Sequence, residues 1–75
     1  MEQNEILRLI KGLLKKHGKE FAVMLRYRTA AQGKIRKRHG EFVDLVDDRE
    51  LVLFNLEKGT EGRYKLEDIV DIRKR

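Results

Sequence analysis

The segment 20–28, with the sequence EFAVMLRYR, decides the fold that we expect for this chain. One set of alternating positions is apolar throughout and consists of Phe21, Val23, Leu25 and Tyr27. The positions between them are apolar at first and basic at the end, where Arg26 and Arg28 stand. A period of two is typical of a β-strand with one buried face. The change on the second face predicts that a neighbouring helix covers only its first part.

Upstream of this strand, residues 4–17 have the apolar spacing of an amphipathic helix. Its apolar stripe consists of Ile6, Leu7, Ile10, Leu13 and Leu14. Asn4 is expected as the N-cap, and Gly18 is placed to end the helix. Gly12 weakens the middle of the helix by about 1 kcal/mol relative to Ala. We expect the apolar stripe to be buried.

Downstream, we predict four further strands at 34–46, 51–56, 63–66 and 69–73. Polar or glycine-containing segments separate them, such as the loop 57–62. Gly40 interrupts the alternation of the second strand, which indicates a bend or bulge where the sheet curls. One helix and five short strands are typical of a small barrel. We therefore predict a single domain over 1–75, with a strongly bent five-stranded barrel at 20–73.

The composition argues against several classes of protein. The chain has no Cys and hence neither disulfides nor thiolate metal sites, a pattern that fits the reducing cytoplasm. Its longest apolar run, Phe21 to Leu25, is too short to span a membrane. His17 and His39 lack metal-ligand spacing, and no nucleophile is paired with a base. We expect a cytoplasmic protein that is not an enzyme and uses no metal or cofactor.

Basic and acidic residues are sorted along the chain, whose formal net charge is +5. Residues 6–40 contain eleven Lys or Arg and one acid, Glu20, whereas residues 41–72 contain ten acids and four bases. A domain with one strongly positive region attracts polyanions or an acidic protein surface. The alternative is that folding intermixes both signs on the surface.

Three short motifs follow one another after the first strand: Gly33-Lys34-Ile35, Gly40-Glu41-Phe42-Val43-Asp44-Leu45 and Tyr64-Lys65, with Ile69 shortly after. They resemble the Sm-like barrels, the superfamily that includes Hfq and the Lsm proteins. The resemblance covers nearly the whole chain and implies an Sm-like or SH3-type barrel linked to RNA. The resemblance also implies that Lys65 contacts a phosphate or a base. Leu66 stands where Hfq has a histidine that helps bind uridine, so the usual uridine pocket is not implied.

The segment Arg63-Tyr64-Lys65-Leu66-Glu67-Asp68-Ile69 is also similar to the ending of the Rho-binding antitermination proteins, which act by binding a protein. Its aromatic-x-Leu-x-x-Ile spacing is similar to that of the WYL domains of bacterial regulators. These resemblances imply an alternative function, in which the chain is a regulator that docks on a transcription or RNA-processing factor.

The basic run 34–39 is the main candidate binding site, and neighbouring residues extend it. The candidate nucleic-acid-binding residues are Lys34, Arg36, Lys37, Arg38, Arg26, Arg28, Tyr64 and Lys65. In a strand, the even-numbered residues of the run project to one side and the odd-numbered ones to the other. Such a strip can neutralise phosphates without reading sequence. The alternative is an edge strand that its charges protect from pairing with another copy.

Two tyrosines stand among basic residues, as in a stacking platform for bases. Tyr27 continues the apolar face of the first strand, so we expect it to pack against the core with its hydroxyl at the rim. Tyr64 is kept as a candidate for stacking.

We predict a small basic regulatory module that binds RNA or single-stranded nucleic acid mainly through phosphate contacts. The alternative is a protein-binding regulator whose partner presents an acidic surface. We expect a monomer or dimer rather than a ring, because the charges of residues 34–38 oppose strand pairing between copies.

Overall fold

One helix precedes five strands, which confirms the predicted mainly β class. Helix α1 spans Gln3–His17. The strands are β1 (Ala22–Arg28), β2 (Ile35–Val46), β3 (Glu50–Asn55), β4 (Thr60–Lys65) and β5 (Ile69–Lys74), with a 3-10 turn at Leu66–Asp68 between the last two. These elements come from a computed structural model in which residues 2–29 and 31–75 are described. In that part of the chain, no helix has the length and apolarity needed to cross a bilayer.

The strands form one antiparallel sheet in the order β4-β3-β2-β1-β5. The two edge strands, β4 and β5, do not pair with each other among the described residues, so the sheet is open. It nevertheless curls strongly. Tyr27 on β1 and Tyr64 on β4 bring their ring centroids within 5.2 Å, although two strands separate β1 from β4 in the sheet.

The core lies on the inner face of this curl. Val23, Leu25, Leu51, Leu53, Ile69 and Ile72 contribute to it from three strands. Helix α1 packs against β5 and the 3-10 turn, where Ile6 and Ile10 are 0% and 1% exposed. Each such burial is worth about 2–3 kcal/mol of transfer free energy. The predicted burial of the helix's apolar stripe is therefore confirmed for these two residues.

Two expectations about the helix are wrong. Its N-cap is Glu2, whose carbonyl accepts hydrogen bonds from the N–H groups of Glu5 and Ile6, and Asn4 lies inside the helix. The helix also does not cover the second face of β1, since Met24 on that face is 40% exposed. The helix's apolar stripe fits over the end of the inner face instead.

The β3–β4 hairpin is tighter than predicted. Asn55 pairs with Thr60, so β4 starts three residues before the predicted Arg63. The side-chain oxygen of Asn55 accepts hydrogen bonds from the N–H groups of Glu57 and Lys58 at 2.9 and 3.1 Å. These hydrogen bonds from the backbone to the Asn55 side chain stabilise a tight turn.

The bulge that Gly40 suggested lies three residues further on. The register between β2 and β3 shifts between Phe42 and Asp44. Gly40 itself is buried where β2 and β3 approach closely, because a Cβ there would lie 2.7 Å from the carbonyl oxygen of Phe54. The glycine is required for close packing rather than for a bulge.

Candidate nucleic-acid interface

The strand register decides which face of the sheet each basic side chain occupies. Directly opposite residues in an antiparallel pair share a face. Leu25 opposes Arg38, and Arg26 opposes Lys37. Because Leu25 is buried in the core, Arg38 lies on the inner face, whereas Arg26 and Lys37 lie on the outer face.

Strand β5 adds further cations to the outer face. Arg73 opposes Met24, and Arg75 continues the alternation, with its N–H donating to the carbonyl of Ala22 at 2.9 Å. We call the resulting surface the outer basic face, and it consists of Arg26, Arg28, Lys37, Arg73 and Arg75. All five residues are exposed. Adjacent strands lie about 5 Å apart and alternate residues about 7 Å apart along a strand, so these cations form one continuous patch.

Asp71 is the acid in the middle of this patch. Its carboxylate lies 3.1 Å from Nη2 of Arg26 and 3.4 Å from Nε of Arg73. Burial works against ionisation of Asp71, but the hydrogen bond from Arg26 and the charges of Arg73 and Arg26 outweigh it and lower its pKa. The carboxylate thus stays ionised and is shared by two guanidinium groups. With Glu41 at the end of the patch, opposite Ala22, the face keeps an excess of positive charge.

Three further side chains lie on the same side of the sheet, next to the outer basic face. His39 opposes Met24, and its Nδ1 is in hydrogen-bond contact with Nη1 of Arg75. Met24 and Ile35 are 40% and 52% exposed, so apolar surface lies among the cations. The face can therefore bind phosphates by charge and can also take an apolar contact.

Arg38 and Tyr64 lie on the inner face, at the end of the core. The guanidinium carbon of Arg38 lies 5.9 Å from the centroid of the Tyr27 ring, which meets Tyr64 edge-on. Both tyrosines are half-buried and pack against the core, as predicted for Tyr27. Burial raises the pKa of Tyr64, Tyr27 raises it further, and the charge of Arg38 opposes both. Tyr64 is thus a neutral packing residue, with at most its rim open to a base.

The other predicted site residues are also separate from the outer basic face. Lys34 lies in the β1–β2 turn, where its carbonyl accepts from the N–H of Thr29. Arg36 opposes Tyr27 and so lies on the inner side. Lys65 opposes Glu50 on β3, which in turn opposes Val46 at the other end of β2. Of the eight candidates, Arg26, Arg28 and Lys37 share one face.

The sequence interpretation missed Arg73 and Arg75. The basic run Arg73-Lys74-Arg75 at the end of β5 could have indicated them, because the alternation of a strand puts the first and third residues of the run on one face. The pairing of β5 with β1 joins residues that are far apart in the sequence, so no short window of sequence predicts it. Strand β2 is central in the sheet, but its residues 35–39 pair with β1 alone, which is in part what the alternative of a charged edge at 34–39 predicts.

Comparisons with known protein families, curated proteins and solved structures found no match to this chain.

Proposed function

We propose that this protein is a small basic regulatory module that binds RNA or another single-stranded nucleic acid through the outer basic face. The observation that carries the proposal is the cluster of five exposed cations on three adjacent strands, with Asp71 shared between two of them. Phosphate groups of a polynucleotide match such a cluster without base recognition.

The aromatic side chains indicate how this binding works. All five Phe and Tyr residues are buried or half-buried, so none offers a fully exposed ring as a base platform. Binding is therefore dominated by charge, depends steeply on salt and discriminates weakly between bases. A flexible single strand can follow the outside of a curled sheet, whereas a stiff duplex touches it over a short length.

We further propose that the open sheet is an Sm-like barrel in a non-enzymatic cytoplasmic protein. The strand order, the helix before β1 and the 3-10 turn before β5 support this assignment. So does the contact of Tyr27 with Tyr64, which brings β1 toward β4. The absence of Cys supports the cytoplasmic location.

The outer basic face can be tested by neutralising three of its cations. We expect the variant with Arg28→Gln, Lys37→Gln and Arg73→Gln to bind a fluorescent oligouridylate much more weakly, measured by anisotropy. The log–log salt dependence should flatten by about 2, since each lost phosphate contact removes about 0.7 from the slope on a single strand.

A control variant removes the same charge from helix α1 through Arg8→Gln, Lys15→Gln and Lys16→Gln, three residues that are exposed. Both variants have a formal charge lower by three, so net charge alone would weaken both equally. The first variant should bind the oligonucleotide more weakly than the control variant only if the binding site lies on the sheet. Equal loss in the two variants would remove the outer basic face from the proposal.

Docking on an acidic protein surface is the second candidate function, and the exposed Met24 and Ile35 favour it. Apolar groups among cations suit a protein partner better than a phosphate backbone. A pull-down treated with nuclease separates the two functions. Material that disappears with nuclease supports nucleic acid, and a stoichiometric protein that persists supports the second function.

A further inference from the structure

The first part of β2 has a strand on one side only. Strand β1 pairs with β2 from Ile35 to Glu41, whereas the pairing of β2 with β3 starts at Glu41. Within the described residues, positions 35–39 therefore pair with no strand on the side away from β1. We call this side the open β2 edge.

Backbone hydrogen bonds identify the groups that face this edge. The N–H of Thr29 donates to the carbonyl of Lys34 at 2.8 Å, and the N–H of Phe42 donates to the carbonyl of Phe21 at 2.9 Å. Successive residues of a strand direct their backbone groups to opposite sides, so the even-numbered residues from 34 to 42 face β1. The N–H and C=O groups of the odd-numbered residues, among them Ile35 and Lys37, face the open β2 edge.

The β3–β4 hairpin leaves this edge accessible. An open pocket of about 170 Å³ lies between Arg38 on β2 and the hairpin residues Asn55 and Thr60. His39 is half-buried next to the end of β3, whereas Ile35 and Lys37 are exposed. A partner can thus reach the N–H and C=O groups of Ile35 and the N–H of Lys37. The carbonyl of Lys37 accepts a hydrogen bond from Nη1 of the Arg38 side chain at 2.8 Å, and its second lone pair can still accept an N–H of a partner.

We propose that the open β2 edge binds an extended acidic peptide segment of a partner protein as an added antiparallel strand. Main-chain hydrogen bonds to Ile35 and Lys37 would hold the segment, as in other cases of strand addition. Four bases flank the edge, Lys34, Arg36, Lys37 and Arg38, and residues 21–40 contain no acid. Their charge attracts an acidic strand and repels a second copy of the same edge. This site does not rest on the proposed nucleic-acid function.

Alternation specifies the sequence of the partner segment. In an antiparallel pair, the residue opposite Ile35 lies beside exposed apolar surface and should be apolar. The three residues before it lie opposite Arg36, Lys37 and Arg38 and should be acidic. The structure thus points to three consecutive acids followed by a β-branched apolar residue.

The test uses the unmodified protein and a blocked peptide that contains the sequence Glu-Glu-Glu-Ile between two Thr residues. One derivative is N-methylated at the second Glu and the Ile, whose N–H groups would face β2. The other is N-methylated at the first and third Glu, whose N–H groups would face solvent. Titration calorimetry should show binding weaker by at least about tenfold for the first derivative and by less than about threefold for the second. Equal affinities of the two derivatives, or no binding of the parent peptide, would overturn the proposal.

A pair of protein variants tests the same edge from the other side. Ile35→Pro removes an N–H that has no partner within the sheet. The fold should therefore be retained, whereas binding of the parent peptide should no longer be detected. Ile35→Thr keeps the N–H and should bind the peptide within about threefold of the parent protein. Both variants lack the Ile35 side chain and keep all five cations of the outer basic face, so the two should bind oligouridylate with equal affinity. Equal peptide binding by the two variants would also overturn the proposal.

Discussion

Gly40 and Gly12 show how the surroundings of a single Cβ decide what a glycine does. A Cβ at Gly40 would lie 2.7 Å from the carbonyl oxygen of Phe54 and 3.1 Å from the Cβ of Leu53. A Cβ at Gly12, inside helix α1, would meet no atom within 4 Å apart from the backbone of its own helix turns. The first glycine is required by packing, whereas the second only lowers the stability of its helix.

The same substitution should therefore act in opposite directions at these two sites. Gly40→Ala should lower the free energy of unfolding by about 2–3 kcal/mol, because the backbone of β3 cannot easily yield to the added methyl group. Gly12→Ala should raise it by about 1 kcal/mol through helix propensity. Urea unfolding followed by circular dichroism measures both. A Gly40→Ala protein as stable as its parent would contradict the close approach of β2 and β3.

At the scale of elements, helix α1 is held by side chains that point to the core while their neighbours remain in solvent. Ile10 is 1% exposed, and Leu9 beside it is 43% exposed. Ile10→Asp should lower the free energy of unfolding by about 2–4 kcal/mol, because it buries an unpaired charge. Leu9→Asp introduces the same charge at an exposed position and should cost about 0.5 kcal/mol or less. If thermal melts show equal loss for both variants, the helix is not docked through Ile10.

Periodicity was sufficient to place the elements that carry a strong local pattern. Helix α1 begins one residue before the predicted range and ends where predicted, and β1 begins two residues later than predicted. Both patterns run over at least seven residues and depend on near neighbours in the chain. The start of β4 was missed because its first residues, Thr60 and Glu61, are polar and are held in the sheet by pairing with Asn55 and Phe54.

The candidate site was less predictable, because it depends on which strands become neighbours. The alternation of residues 34–39 separated the two sides of β2, but the register with β1 decided that Arg36 and Arg38 belong to the inner side. Likewise, Arg73 joins Arg26 only because β5 crosses back to pair with β1. Such long-range pairing leaves no signal in a short window of sequence.

For the whole molecule, folding preserves part of the charge sorting seen in the sequence. The bases of β1 and β2 and those at the end of β5 gather on the outer basic face. Elsewhere the signs of charge intermix, as in the ion pair of Lys11 and Asp48. Nζ of Lys11 lies 3.1 Å from Oδ2 of Asp48, and both side chains are about half exposed. Exposed pairs of this kind add little stability, about 0–1 kcal/mol. The positive patch is therefore a local feature of the sheet and not a property of the entire surface.

The oligomeric state depends on the two edges of the sheet, β4 and β5. The charges of residues 34–38, which we expected to oppose pairing between copies, flank the open β2 edge and lie on neither β4 nor β5. Each edge strand nevertheless has six residues, of which three are charged: Glu61, Arg63 and Lys65 on β4, and Asp71, Arg73 and Lys74 on β5. Short charged edges disfavour pairing between copies, because a second chain must bring many charges into register.

We therefore expect a monomer, or at most a dimer, when nucleic acid is absent. Multi-angle light scattering after size-exclusion chromatography measures the mass directly, in low and in high salt. Added salt should not change a monomer, whereas a dimer held by opposite charges on β4 and β5 should dissociate as screening increases. A stable ring of six or seven chains would contradict this expectation. It would mean that β4 of one chain pairs with β5 of the next in spite of their charges, and the outer basic face would then be repeated around a closed assembly.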